Sequence, residues 1–139
     1  MSDVTFPTPD LSELSRPFWD SLKQSGTLTF QRCTACNHAW LPAREECPNC
    51  LGSDWRREPS KGKATLVSWV VYHTAFHPAF ESRLPYTVAV VALDEGPRML
   101  SNIVRTDPQA LRIDQALRLV VEDEGGTAVP RFVPRFVPV

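Results

Sequence analysis

The sequence predicts a mainly β fold: short N-terminal helices and a rubredoxin-like zinc ribbon, followed by a five-stranded OB-fold barrel. Three observations carry this expectation. Four cysteines stand in two C-x2-C pairs, Cys33/Cys36 and Cys47/Cys50, separated by ten residues. Thirteen prolines are spread along 139 residues, which disfavours a helical bundle and favours strands joined by turns. Beyond Gly62 the composition shifts to β-branched and aromatic runs punctuated by turn residues. The expected divisions are a helical segment over 1–26, the ribbon over 27–57 and the barrel, with an extended tail, over 58–139.

Residues 1–9 read as an untethered lead with prolines at 7 and 9. Asp10 and Glu13 have capping-box spacing before a turn from Leu11 to Leu14. A second helix, capped by Ser15, tolerates Pro17 in its first turn and ends at Gly26. Phe18, Trp19 and Leu22 fall close together on one face of it. That face either packs on the protein's own body or docks a partner.

Thr27–Arg32 alternates and enters the first cysteine pair as a strand. Barrel strands are expected at Lys63–His73, Tyr86–Leu93, Arg98–Val104 and Leu117–Glu122, with a helical turn over Asp107–Leu111. The first of these is apolar on both faces in its second half. The tail repeats Val-Pro-Arg-Phe twice, and its prolines are expected to confine it to an edge strand or an extended arm. Five strands with a short helix between the third and fourth match the element order of an OB barrel.

Net charge is −1, with no basic stripe interleaved with aromatics, which argues against a nucleic-acid partner. No signal peptide or membrane-length apolar run is seen, so a cytoplasmic protein is expected. In that compartment thiols stay reduced, and paired cysteines point to metal. Four thiolates close a tetrahedral shell around one structural Zn²⁺ and leave no position for water. Disulfides would need an oxidising compartment, a redox dithiol needs only one pair, and iron would fit the same sulfurs. Zinc is the expectation adopted.

His73 and His77 are four apart, but Pro78 argues against the helix that would aim both at one ion. No nucleophile elbow, zincin motif or phosphate loop is present, and all cysteines are committed, so this chain is not expected to be an enzyme by itself. The segment Ala75–Tyr86 is unusually apolar for a connection. Phe76 and Phe80 either plug one end of the barrel or wall an apolar ligand site, with Arg83 near enough to meet phosphate. Tyr86, Arg98 and Asn102 complete the candidate surface.

The order of these features resembles a known family. A helix with Phe18-Trp19 leads through a strand into Cys33-x2-Cys36. Leu41-Pro42-Ala43-Arg44 precedes Cys47-Pro48-Asn49-Cys50. Gly62 then opens a long strand, Pro85-Tyr86 follows, and Leu93-Asp94-Glu95-Gly96-Pro97-Arg98 comes before a final Pro-Arg-Phe. This is similar to the zinc-ribbon plus OB-fold, acyl-CoA-associated proteins. The resemblance implies an accessory subunit, in a hetero-oligomer with a thiolase-like enzyme, an aldolase or a MaoC-type hydratase. It also implies docking through the N-terminal helices and ribbon, and an OB surface sized for acyl-CoA. The candidate residues for docking are Phe18, Trp19 and Leu22; those for the ligand are Phe76, Phe80 and Tyr86 along the apolar part, with Arg83, Arg98 and Asn102 as polar contacts, Arg98 and Asn102 being otherwise solvated strand residues. Two other functions compete: a single-stranded nucleic-acid binder, and an independent acyl-CoA carrier.

Overall fold

The computed structural model describes residues 6–135. Helix α1 spans Arg16–Ser25, with Pro17 in its first turn and Gly26 at its C-cap. Gly26 adopts φ 68°, where a Cβ would be strained, and its N–H satisfies the Leu22 carbonyl at 3.0 Å. The capping box forms two residues later than expected. Ser12 N–H donates to Ser15 Oγ at 3.0 Å, and Ser15 N–H donates to Ser12 Oγ at 3.1 Å. Pro17 sets the helix start at Arg16, so Asp10 and Glu13 fall outside the first turn and stay exposed. The lead is also anchored where it is described. Phe6 packs against Phe80 with ring centres 5.7 Å apart, and the Arg83 guanidinium lies 4.5 Å from its ring.

The ribbon sheet has three strands, β1 (Thr29–Cys33), β2 (Ala39–Trp40) and β3 (Trp55–Pro59), in the order β2-β1-β3. Buried Gln31 ties it to the Leu41–Arg44 loop. Its Nε2 donates to the Arg44 carbonyl at 2.8 Å, and Arg44 N–H donates to its Oε1 at 2.9 Å. The second half of the chain forms β4 (Lys63–Tyr72), β5 (Tyr86–Leu93), β6 (Arg98–Ile103), β7 (Ala116–Glu124) and β8 (Thr127–Pro134). These close into a barrel in the order β4-β5-β6-β8-β7, with β7 returning to β4. A short 3-10 turn over Pro78–Arg83 interrupts the connection expected to be irregular, and another over Pro108–Ala110 precedes β7.

The tail departs most from expectation. It begins to pair at Thr127, before the repeat, and β8 runs antiparallel to β7 along its whole length. It also meets β6 in parallel at Ile103 and Phe132, so it closes the barrel instead of forming an arm. The prolines permit this because of their parity. On the β6 side, the Pro130 carbonyl accepts from Ser101 Oγ at 3.0 Å and the Phe132 carbonyl accepts from Val104 N–H at 2.9 Å. On the β7 side, Arg135 N–H donates to the Ala116 carbonyl at 2.9 Å. Pro130 and Pro134 share the parity of Phe132, so neither missing donor falls in the β7 ladder. The first Val-Pro-Arg-Phe copy lies wholly in β8, and the second continues the pairing through Val133 and Pro134, opposite Arg118 and Leu117; the end of the second lies outside the described residues. The β7–β8 hairpin turns on Gly125 and Gly126, both at positive φ (61° and 94°), as a two-residue loop requires.

One core joins the parts. Leu22 and Leu28 are buried with Leu66, Val91, Leu117 and Phe132 of the barrel. Ser60 Oγ and Lys61 N–H both donate at 2.8 Å to the Glu95 carboxylate on the β5–β6 turn, fixing the ribbon-to-barrel joint. A bulge at Val67 shifts the facing of β4. Beyond it Ser68, Val70 and Tyr72 share a face with their β5 partners Val90, Val88 and Tyr86. This accounts for the two-faced apolar character of that strand. Among the described residues no helix is long and apolar enough to cross a membrane.

Candidate functional site

The cysteines converge from two related turns. Each pair is followed by a residue in the left-handed region, Asn37 at φ 69° and Leu51 at φ 66°. Asn37 N–H returns to the Cys33 carbonyl at 3.0 Å, and Leu51 N–H to the Cys47 carbonyl at 2.8 Å. Asn tolerates this conformation, whereas Leu51 is strained in it and lies 71% exposed. The amides inside each turn face sulfur: Ala35 and Cys36 N–H approach Cys33 Sγ at 3.4 Å, and Asn49 N–H approaches Cys47 Sγ at 3.4 Å.

All four sulfurs lie within 4.8 Å of one another, with Cys33–Cys50 and Cys36–Cys47 at 3.6 Å. A tetrahedron with Zn–S of about 2.3 Å has edges of about 3.8 Å, so the donor set fits one such ion. Cys33 and Cys47 are buried beside Trp40 and Trp55; Cys36 and Cys50 face outward. As free thiols the four differ. The Asn49 side-chain amide, with a backbone contact from His38, lowers the Cys36 pKa to about 6. Cys50 is pushed up to about 12: the Gly52 backbone pulls it down, but contacts with Cys33 and Cys36 and desolvation together outweigh that pull. A cation at the centre removes this competition by favouring thiolate at every position. His38 stacks on Trp40, with ring centres 6.3 Å apart, and is not among the grouped ligands. His77 caps the 3-10 turn through Nδ1, which accepts from Ala79 N–H at 3.0 Å.

The second feature is a groove of about 1320 Å³ between α1, the ribbon loop and the outside of the barrel. Phe18 and Trp19 form one wall, with ring centres 5.1 Å apart, and Leu41–Ala43 extends it. The opposite side is aromatic: Tyr86 lies 5.3 Å from Tyr72 and 6.1 Å from Phe80. Val88, Val90 and Leu100 supply apolar surface, with Leu100 70% exposed. Of the candidate ligand contacts, the fold brings Phe80, Arg83, Tyr86, Arg98 and Asn102 to this groove. Phe76 does not join them or plug the barrel; it is 83% exposed, edge-on to Tyr72.

The polar candidates differ in what is left to offer. Arg83 is engaged by Glu124 and by the rings of Phe6 and Phe80. Asn102 Nδ2 donates to the Thr87 carbonyl at 2.9 Å. Arg98 is exposed and forms no ion pair among the described residues. Of the docking trio, Leu22 is in the core at 2% exposure, while Phe18 and Trp19 are partly buried and line the groove.

Sequence reasoning missed the ionic floor of this groove. Arg131, 8% exposed, holds Glu124 at 3.1 Å and Glu122 at 3.7 Å, and Arg105 reaches Glu122 at 3.8 Å. The alternation of Glu122 and Glu124 was the available signal. In a strand it places both on one face, but the strand expected from the sequence stops at Glu122.

Residues 20–56 match the family described as "ChsH2, rubredoxin-like zinc ribbon domain", and residues 57–122 match "ChsH2, C-terminal OB-fold domain". A DUF35 domain-containing scaffold protein of Methanothermobacter thermautotrophicus is 32% identical over 86% of this chain and 92% of its own length. A probable enoyl-CoA hydratase alpha subunit of Thermomonospora curvata is 33% identical over 92% of this chain, which spans only 40% of that relative. Among solved structures, an "Ltp2-ChsH2(DUF35) aldolase" chain superposes with TM-score 0.79 at 33% identity, covering 91% of this chain and 98% of that one. A Sulfolobus solfataricus DUF35 protein, at 14% identity and TM-score 0.62, shares the fold over 86% of this chain and 84% of its own.

Proposed function

Because this chain belongs to the DUF35 family, in which a ChsH2-type zinc ribbon precedes an OB barrel, we propose that it is a non-catalytic accessory subunit of an acyl-CoA-processing hydratase, aldolase or thiolase-like enzyme. It binds and stabilises that enzyme in a hetero-oligomer and contributes a surface to its acyl-CoA substrate. The observation that carries this reading is the groove. Antiparallel sheets with one solvated face alternate polar and apolar residues. Here the outward face of β4–β5–β6 carries Val70, Tyr72, Tyr86, Val88, Val90 and Leu100, and α1 adds Phe18 and Trp19. A surface of that composition suits burial against a partner or an acyl chain. The charged residues of the groove floor are occupied with one another, which suits a scaffold more than a reaction centre. One structural zinc holds the ribbon that supports the Leu41–Ala43 wall.

The test is co-purification from the native host with mass spectrometry, followed by reconstitution with the enzyme found. Calorimetry of the assembled complex with CoA is expected to show binding weakened about tenfold by Arg98→Ala, the loss of one charge-assisted phosphate contact. Arg83→Ala should act on stability more than on affinity, since that side chain is already paired. Unchanged CoA affinity in both variants would move the ligand site off this groove; recovery of no acyl-CoA enzyme would overturn the reading.

A further inference from the structure

A second, smaller cleft lies apart from the groove lining, at the joint between the ribbon and the start of the barrel. Its volume is about 390 Å³, and it is lined by Gly26, Thr27, Ser60 to Lys63, Arg118, Leu119 and Arg135. Four of these residues are cationic and none is acidic. Among the described residues Lys61, Lys63, Arg118 and Arg135 form no ion pair. The Glu95 carboxylate accepts from two lining residues, Ser60 Oγ and Lys61 N–H, and pairs with none of the four cations.

The strand register adds a second observation. Lys63 on β4 stands directly opposite Arg118 on β7. Like charges at directly opposed positions destabilise a sheet. The chain as a whole carries a net charge of −1, so this crowding is local and not a consequence of a basic composition. An anion seated between the two side chains would convert the repulsion into binding.

We propose that this cleft binds a small anion carrying a diphosphate group. The two arginines supply planar forks and the two lysines point charges, a mixture suited to phosphate oxygens. The cleft is shallow and small, with Lys61, Lys63 and Arg118 exposed at its surface, whereas an acidic protein segment would call for a broader surface. Free inorganic pyrophosphate and the diphosphate of a nucleotide such as CoA share this chemistry. The site lies outside the groove and does not depend on the accessory-subunit reading.

The experiment is titration calorimetry of the full zinc-loaded chain at low salt with inorganic pyrophosphate, with CoA, and with hexaglutamate. Pyrophosphate is expected to bind, and Lys63→Ala/Arg118→Ala to weaken it by roughly a hundredfold, about tenfold for each cation removed. Arg98→Ala, on the groove, should leave pyrophosphate affinity unchanged. CoA binding lost with the same double variant would identify a nucleotide diphosphate as the fitting source; pyrophosphate binding alone would identify the free anion. Melting of the variant without ligand shows that it folds, and relief of repulsion should hold or raise its Tm. No pyrophosphate binding by the parent chain, equal binding by the folded double variant, or tighter binding of hexaglutamate would each overturn the proposal. Capture of the partner enzyme by the double variant is expected to be intact, so failure here is distinguishable from failure of the accessory role.

Discussion

Leu22 and Trp19 lie three residues apart on one short helix, yet they differ in burial: Leu22 is within the core, and Trp19 packs partly buried against it at the groove. Leu22 is 2% exposed and packs in the cluster containing Leu28, Leu117 and Phe132, so it pins α1 to the barrel. Truncating a buried leucine to alanine costs about 2–5 kcal/mol, through lost transfer energy and the cavity left behind. For a domain of this size each kcal/mol moves the melting point by roughly 2–5 °C, so Leu22→Ala is expected to lower Tm by about 10 °C. Trp19 is partly buried and faces the groove, so Trp19→Ala should cost less stability. Its loss should instead weaken partner binding by ≥ 2 kcal/mol, about thirtyfold, as for a central aromatic anchor. The assay is thermal melting of the isolated zinc-loaded chain beside quantitative pull-down of the reconstituted enzyme. If Trp19→Ala destabilises more than Leu22→Ala while partner capture is retained, the assignment of the helix face is refuted. A Leu22→Ala loss below about 1 kcal/mol would refute the docking of α1 on the barrel.

Three further outcomes are expected. Elemental analysis should find about one zinc per chain, and Cys33→Ser should lose it and unfold the ribbon while the β4–β8 barrel signals persist; iron, or folded metal-free ribbon, would contradict this. Glu124→Gln should destabilise by about 3 kcal/mol in denaturant titration, because it leaves the guanidiniums of Arg131 and Arg83 facing each other without their shared carboxylate. Glu58 is held below the usual carboxylate range by Arg32 first and then Arg56. A depressed pKa adds stability above the unfolded value of about 4.3 that is lost as pH falls through the folded one. The Tm gap between the parent chain and Glu58→Gln should therefore shrink below about pH 4; a gap that persists or widens in acid would count against the ion pair.

Much of this protein was legible in its residues because the signals were local. Doubled C-x2-C spacing specifies a four-sulfur cluster through turn geometry alone, and Asn37 at positive φ was foreseeable because the turn demands it. Strand periods and Pro17 placed β4–β7 and α1 to within a residue or two of their observed ends. Other features needed the third dimension. Whether Pro130 and Pro134 forbid a ladder depends on which neighbour their nitrogens face, and that parity exists only once β8 lies between β6 and β7. Glu122, Glu124 and Arg131 read as solvated charges until barrel closure brings them under one groove, where their pairing replaces water. Phe18, Trp19 and Leu22 form a single apolar face in sequence. Only the packing of α1 divides that face, because one short helix buries Leu22 fully in the core and leaves Phe18 and Trp19 partly buried at the edge of the groove.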